Sequence, residues 1–337
     1  MNRELSSPDY SYRHGLRIDR HIYGEQTSST QFDVSYDNIQ PAKIPEVIPH
    51  TEKVVRRLGS TALEWRYIRA ANDTDTVNVV LMGWGGDNDN PITQDALRHY
   101  RAHNPNADII HINNPGHGES SALPRSISRT IAKSGHFGPQ GELQVALLEN
   151  DLKNYNYINI AGHSYGGRQA IALTAALNRP VNNLHLLDPP GSRDINGLRG
   201  IAKAFMSLEG NHASLYSRHA QDAVAAEIQR RGDSTPLQDI LKLIRNKGFT
   251  QQLFDQTRAL SKPGLEHDLL HAAPNVRNTL KLTSPALSEL NYVDDVSAIL
   301  DRVARTTRAI QHDIVLGHTH SLIASNPSVL AYLQRFS

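Results

Sequence analysis

Ile158-Asn159-Ile160-Ala161-Gly162-His163-Ser164-Tyr165-Gly166-Gly167 is a short apolar run that closes in a Gly-x-Ser-x-Gly pentapeptide. Arg168-Gln169-Ala170-Ile171-Ala172-Leu173, which follows, is a helix-forming stretch. Strand, sharp turn and helix in that order is what a nucleophile elbow requires, with the serine at the tip and its hydroxyl pointing out of the sheet. Such a turn is crowded and strained. Glycines at 162 and 166 keep neighbouring backbone clear of the seryl residue. The start of the helix aims backbone N–H groups at the place where an oxyanion would form. The bare three-residue pattern recurs by chance in about one chain in ten of this length, so the flanking strand and helix carry the meaning. The competing reading is a glycine-rich strand-to-helix turn with a surface serine.

Outward from this stretch, strands alternate with helices. Candidate strands lie at Lys53–Arg57 and Ala62–Ala71, the second alternating through Leu63, Trp65 and Tyr67 until Ile68 breaks the period. Val77 to Met82 is strongly apolar and runs into Gly83-Trp84-Gly85-Gly86, which predicts a central buried strand and a tight loop. A helix over Thr93 to His103, a strand over Asp108 to Ile112 and a helix over Gly141–Lys153 lead to the strand Tyr157–Ala161. Beyond the post-serine helix, which stops before Pro180, comes a strand over Asn183 to Leu187 that ends in Asp188-Pro189-Pro190. This order argues for an α/β protein with a mostly parallel sheet covered on both faces.

Residues 191–280 read as a helical cap inserted after the sixth strand. Its clearest helix starts at Thr235 and Pro236 and closes at Gly248, with Leu237, Ile240, Leu241 and Ile244 on one face. The core then comprises residues 46–190 and 281–337, with strand patterns at Leu282–Tyr292 and Ala309–Val315, a helix at Val296–Arg305, and a last helix from Asn326-Pro327. Residues 1–45 are polar and read as an extension that wraps the domain or is partly disordered.

The 337 residues suffice for one large α/β domain with an insertion. Lys plus Arg is 35 and Asp plus Glu is 34, so no basic excess points to nucleic acid. No apolar run approaches a membrane span, and the polar start shows no secretory signal, so the expectation is cytoplasmic. The absence of cysteine removes disulfides and thiolate chemistry.

A seryl hydroxyl needs a histidine to take its proton and a carboxylate to orient that histidine. Leu316-Gly317-His318-Thr319-His320-Ser321 follows a strand and precedes the last helix, where the base belongs. His318 and His320 as a metal pair find no third ligand at zinc-like spacing, so no metal is expected.

Four features together make the chain resemble a capped, serine-nucleophile member of the α/β-hydrolase-fold superfamily, of esterase or lipase type. They are the loop Met82-Gly83-Trp84-Gly85-Gly86, the segment Pro115-Gly116-His117-Gly118-Glu119-Ser120, the elbow, and the Gly-His-x-His with Pro327 before the last helix. The resemblance implies Ser164 as nucleophile, His320 in preference to His318 as base, and Asp294 as acid. Asp295 and Asp188 stand as alternatives, because Asn291 replaces the usual glycine and some relatives carry the acid one strand earlier. It implies an oxyanion hole from the backbone N–H groups of Tyr165 and Trp84, with Gly83, Gly85 and His163 lining the substrate pocket, and no cofactor.

The expected activity is hydrolysis of a carboxylic ester, or a thioester or amide, of a small-molecule acyl substrate through an acyl-enzyme. Carbon–carbon bond hydrolysis or cofactor-free lyase chemistry on the same triad is the alternative. A catalytically silent ligand- or partner-binding protein of the same fold is the reading from another class. Dehalogenase and epoxide hydrolase chemistry is disfavoured, since those relatives carry Asp where this chain has Ser164.

Overall fold

Val77, Val79 and Leu81 are buried in one core cluster, and Val80 and Met82 in a second. Successive side chains of a strand point to opposite faces. A strand buried on both therefore needs helices above and below it, which is the arrangement found in a computed structural model of the chain. The structure describes residues 15–24, 27–39, 44, 45, 48, 51–84, 86–195, 249–288, 290–305, 310–318, 320 and 326–336.

In chain order the strands are β1 (Leu16–Tyr23), β2 (Ser28–Val34), β3 (Thr51–Leu58), β4 (Thr61–Ile68), β5 (Thr76–Leu81), β6 (Asp108–Ile112), β7 (Tyr157–His163), β8 (Val181–Leu187), β9 (Val276–Pro285) and β10 (Ile310–Val315). The helices are α1 (Tyr36–Ile39), α2 (Pro91–His103), α3 (Arg125–Ser134), α4 (Gly138–Leu152), α5 (Tyr165–Ala176), α6 (Phe249–Leu260), α7 (Leu265–Ala272), α8 (Val293–Ala304) and α9 (Pro327–Gln334). All ten strands form one sheet in the order β2-β1-β10-β9-β8-β7-β5-β6-β4-β3. The block from β10 to β6 is parallel throughout. An antiparallel hairpin extends it at each end, β1–β2 on β10 and β3–β4 on β6.

Residues of α4, α5, α7 and α8 pack with Leu63, Trp65, Tyr67, Val79 and Ile160 in the larger cluster. Those of α2 and α9 pack with Ile68, Val80 and Ile109 in the other. This explains the broken period in β4: Leu63, Trp65 and Tyr67 face one layer, and Ile68 faces the other.

Two expected elements shift. The strand placed at Leu282–Tyr292 is β9, and it ends at Pro285, where the chain leaves the sheet. It carries Arg277, Asn278 and Lys281, a polar texture that hides the strand. Within the segment read as an extension, Leu16–Tyr23 and Ser28–Val34 form β1 and β2. Arg20 ties β1 to its neighbour by donating from Nε and Nη2 to the two carboxylate oxygens of Asp313, at 2.7 and 2.9 Å. The helix expected from Thr235 to Gly248 lies outside the described residues, as does Gly85. Between β8 and β9 the described elements are α6 and α7, both helical. Among the described residues no helix is long and apolar enough to cross a membrane.

Candidate active site

β7 delivers Ser164 to the carboxyl edge of the sheet, and α5 begins at the next residue. Ser164 holds φ 55° and ψ −124°, a conformation that L-residues rarely adopt and that costs of order 1–3 kcal/mol. The surrounding bonds hold it there. Its N–H donates to the carbonyl of Leu187 at the end of β8 (2.9 Å), and its own carbonyl accepts from Gly167 (2.9 Å). The serine is nearly enclosed, at 8% exposure.

The residue after Leu187 is Asp188, the other non-glycine residue at positive φ among those described (45°). Its carboxylate is 1% exposed. Oδ2 accepts from the Ser288 hydroxyl (2.6 Å) and faces His320 Nδ1 (2.7 Å), and Oδ1 accepts from Asn291 Nδ2 (2.7 Å). Asn291 Nδ2 also donates to the Pro189 carbonyl (2.9 Å), and its Oδ1 accepts from the Ser192 N–H (3.3 Å). A buried carboxylate with this many donors is held in one orientation. Of the three aspartates left open by sequence, Asp188 is therefore the one brought to His320.

The expectation of Asp294 is corrected here. Asp294 is exposed and sits with Asp295 in the first turn of α8, where a carboxylate serves the helix dipole. The loop after β9 does reach the site, but it contributes Ser288 and Asn291 rather than an acid. The unusual Asn291 was visible in the sequence as a departure from the family pattern. Its task of holding Asp188 was not.

His318, the other candidate base, is turned to backbone: its Nδ1 faces the Leu316 carbonyl at 3.0 Å, and burial lowers its pKa. His163 lies flat against His320, with ring centroids 4.9 Å apart and planes 24° from parallel. Burial, and then the neighbouring His320, push its pKa well below the ordinary histidine value, so it is neutral.

The loop after β5 crosses the same spot. A Cβ added at Gly83 would lie 3.1 Å from His163 Nδ1 and 3.2 Å from Ser164 Cβ, so a side chain there would press both residues back by a few tenths of an ångström. Trp84 comes next, and its ring stands 5.9 Å from that of Tyr165. As the first residue of α5, Tyr165 has an N–H that the helix itself leaves unused. The Gly83 carbonyl is pinned from behind by Asn114 Nδ2 (2.7 Å), and Asn114 Oδ1 accepts from Gln169 Nε2 (2.5 Å). Gln169 Oε1 in turn accepts from Gln140 and Gln144 (2.7 and 2.8 Å). This buried amide chain joins the loop to α4 and α5, and no motif announced it.

The Tyr165 hydroxyl donates to Gln140 Oε1 (3.2 Å) and accepts from Gln256 Nε2 of α6 (2.8 Å). Phe137, Leu123, Ile131 and Leu260 pack around the Tyr165 ring, with Trp84 at the margin. Helix α6 thus packs over an aromatic wall beside the serine.

The family model described as the α/β hydrolase fold matches residues 79–211, from β5 through the elbow and β8. Solved structures with the same architecture include MGS-M2, an α/β hydrolase enzyme from a Medee basin deep-sea metagenome library. It is 15% identical, with a TM-score of 0.55, covering 84% of this chain and 98% of that one. The Pyrococcus furiosus esterase Pf2001 is 12% identical, with a TM-score of 0.52, covering 86% and 92%. Among curated proteins, the highly reducing polyketide synthase ATR6 of Stachybotrys chlorohalonatus is 26% identical over 197 residues. That match takes in 54% of this chain and 8% of the synthase. The strand order, the strained serine between β7 and α5, and these matches agree: the chain adopts the α/β-hydrolase fold.

Proposed function

We propose that the protein is a serine hydrolase that cleaves a carboxylic ester of a small or medium acyl group through an acyl-enzyme. Ser164 attacks the carbonyl carbon. His320, with Nδ1–H donated to Asp188, keeps its Nε2 lone pair for the seryl proton and later returns that proton to the leaving group. Asp188 fixes the tautomer and stabilises the imidazolium. The backbone N–H groups of Tyr165 and Trp84 receive the oxyanion, on a loop that Gly83 and Asn114 hold in place. The acyl group rests against Trp84 and the Tyr165 side, under a helical cap to which α6 belongs.

One observation carries this reading: a serine held at φ 55° at a strand-to-helix tip, next to a buried His320–Asp188 pair. A structural serine has no need of that strain. An acyl group of polyketide type is the second substrate reading, favoured by the 197-residue match to a polyketide synthase. The test is labelling with a fluorophosphonate probe, followed by turnover of p-nitrophenyl esters of increasing acyl length. Labelling that disappears in Ser164→Ala, with turnover of the shorter esters, supports the proposal. A well-folded wild-type protein that takes up no probe refutes it in favour of a binding role.

A further inference from the structure

A second cluster of polar side chains lies where the end of α3 meets α7. Gly135 closes α3 in the left-handed conformation, and Gly264, just before α7, packs directly on its carbonyl. This backbone contact sets His136 beside the first turn of α7, which carries His267 and Asp268. The two imidazole rings stack with centroids 3.7 Å apart and planes tilted by 30°. Asp268 is buried beneath them. Its Oδ2 accepts from Arg168 Nη2 (2.6 Å) and the Phe137 N–H (3.1 Å). That leaves Oδ1 facing His136 Nδ1 at 3.5 Å and His267 Nδ1 at 3.3 Å. The Nδ1 atom of His136 is enclosed with no hydrogen-bond partner.

We propose that His136, His267 and Asp268 form a binding site for a divalent transition ion of the zinc type, separate from the Ser164 centre. One ligand atom from each residue falls within a sphere where all lie less than 4.8 Å apart. Ligands of one zinc ion, each about 2.0–2.2 Å from the metal, lie at most about 4 Å apart. Small side-chain rotations of the half-exposed His136 and exposed His267 close that difference. The carboxylate is already oriented by Arg168 and the Phe137 N–H, the kind of support that metal-ligating carboxylates have.

The donor set also selects the ion. Two imidazoles and one carboxylate suit zinc, whereas calcium and magnesium require oxygen ligands. Arg168 offsets much of the Asp268 charge, which weakens the site further for a hard cation held mainly by charge. His271 lies one turn along α7 from His267, with rings 4.3 Å apart, and its Nδ1 faces the His267 carbonyl at 2.8 Å. Histidines four apart on one helical face are a recurring zinc spacing. The sequence reading weighed only His318 and His320, because this site joins residues more than 130 positions apart.

The experiment is calorimetric titration of the untagged, chelator-stripped full chain with Zn²⁺. Visible spectra of the Co²⁺ form and carbethoxylation of histidines with and without Zn²⁺ accompany it. The expected result is one saturable Zn²⁺ per chain, intense four-coordinate Co²⁺ bands, and protection of His136 and His267 from carbethoxylation. Loss of an outer-shell partner alone weakens metal sites about 10–100-fold. His136→Ala and His267→Ala are therefore each expected to weaken Zn²⁺ at least tenfold, while His21→Ala on β1 leaves it unchanged. Absence of saturable binding, wild-type affinity in both alanine variants, or no protection of these two residues in the wild type would overturn the assignment. Mg²⁺ or Ca²⁺ binding as tightly as Zn²⁺ would overturn the ion class.

Discussion

Replacing Asp188 by asparagine separates orientation of the base from the stability of the fold. The new amide must place its NH2 at one of two sites. At the Oδ1 site it would meet Asn291 Nδ2, a second donor, at 2.7 Å. At the Oδ2 site it meets the Ser288 hydroxyl, which can turn to accept, and His320 Nδ1, which can lose its proton to Nε2. The second arrangement leaves only the Ser288 O–H without its acceptor, and it is the one expected. Its stability cost is therefore about 1–3 kcal/mol, the usual cost of a disturbed buried hydrogen bond. In that tautomer Nε2 carries the proton, and His320 has no lone pair to offer the serine. The corresponding asparagine change in serine proteases lowers kcat on the order of 10⁴, or about 5 kcal/mol of barrier. The assay is kcat/KM on a p-nitrophenyl ester for Asp188→Asn and Asp294→Asn, with urea melts to confirm folding. Asp294→Asn, an exposed change, is expected to stay within about twofold of the wild type. A folded Asp188→Asn near wild-type rates, or an equal loss in Asp294→Asn, would refute the reasoning.

Asn291→Ala removes a donor from Asp188 and from the Pro189 carbonyl; it should cost about 1–3 kcal/mol in urea unfolding and lower kcat with little change in KM. A loss seen in KM alone would show that Asn291 acts on substrate rather than on the carboxylate. Gly83→Ala places a methyl 3.1–3.2 Å from His163 and Ser164, so ester turnover should fall about tenfold or more with a stability loss of about 1–3 kcal/mol; unchanged turnover would move the oxyanion loop elsewhere. Burial, with a smaller contribution from Arg66, pushes the pKa of His111 down to about 3. The unfolded chain then binds a proton near pH 6.5 that the folded chain refuses. The stability contributed by neutral His111 is thus present above pH 6.5 and lost as the pH falls towards 3, with a slope approaching about 1.4 kcal/mol per pH unit. Urea titrations between pH 7 and 5 should give a shallower slope in His111→Gln, and parallel slopes would contradict the assignment.

Much of the architecture was legible because its signals are local. β5 announces itself as a strongly apolar run, the last helix by Asn326 before Pro327, and the serine by the glycines around it. What was not legible depends on partners remote in sequence. β1 reads as polar chain because Arg20 is matched by Asp313 nearly three hundred residues on. Gln140, Gln144, Gln169 and Asn114 look like surface amides, and become a buried chain only when α4, α5 and the β6 edge meet. His320 was preferred to His318 only through the family resemblance. Spacing favoured Asp294, whereas Asp188 is the aspartate at His320, because only tertiary contacts separate aspartates that each lie at a strand or helix end.

The residues around Asp188 follow from how the β9 strand ends. Pro285 stops the ladder, and the chain must turn back over β8 before α8 begins. A carboxylate on that return would add a second negative charge beside Asp188, which is already enclosed and bonded to His320. Like charges in one buried site cannot both ionise without a large pKa shift. Donors are the compatible residues there, and the loop supplies a hydroxyl from Ser288 and an amide from Asn291. Asn291→Asp tests this directly. The new carboxylate would face Asp188 Oδ1 across 2.7 Å, so at pH 8 the variant should be less stable by several kcal/mol. It should regain stability on acidification as one of the pair takes up a proton. A variant equally stable at pH 8 and pH 5 would mean that the two groups do not share one enclosed site, and the arrangement proposed for Asp188 would fail with it.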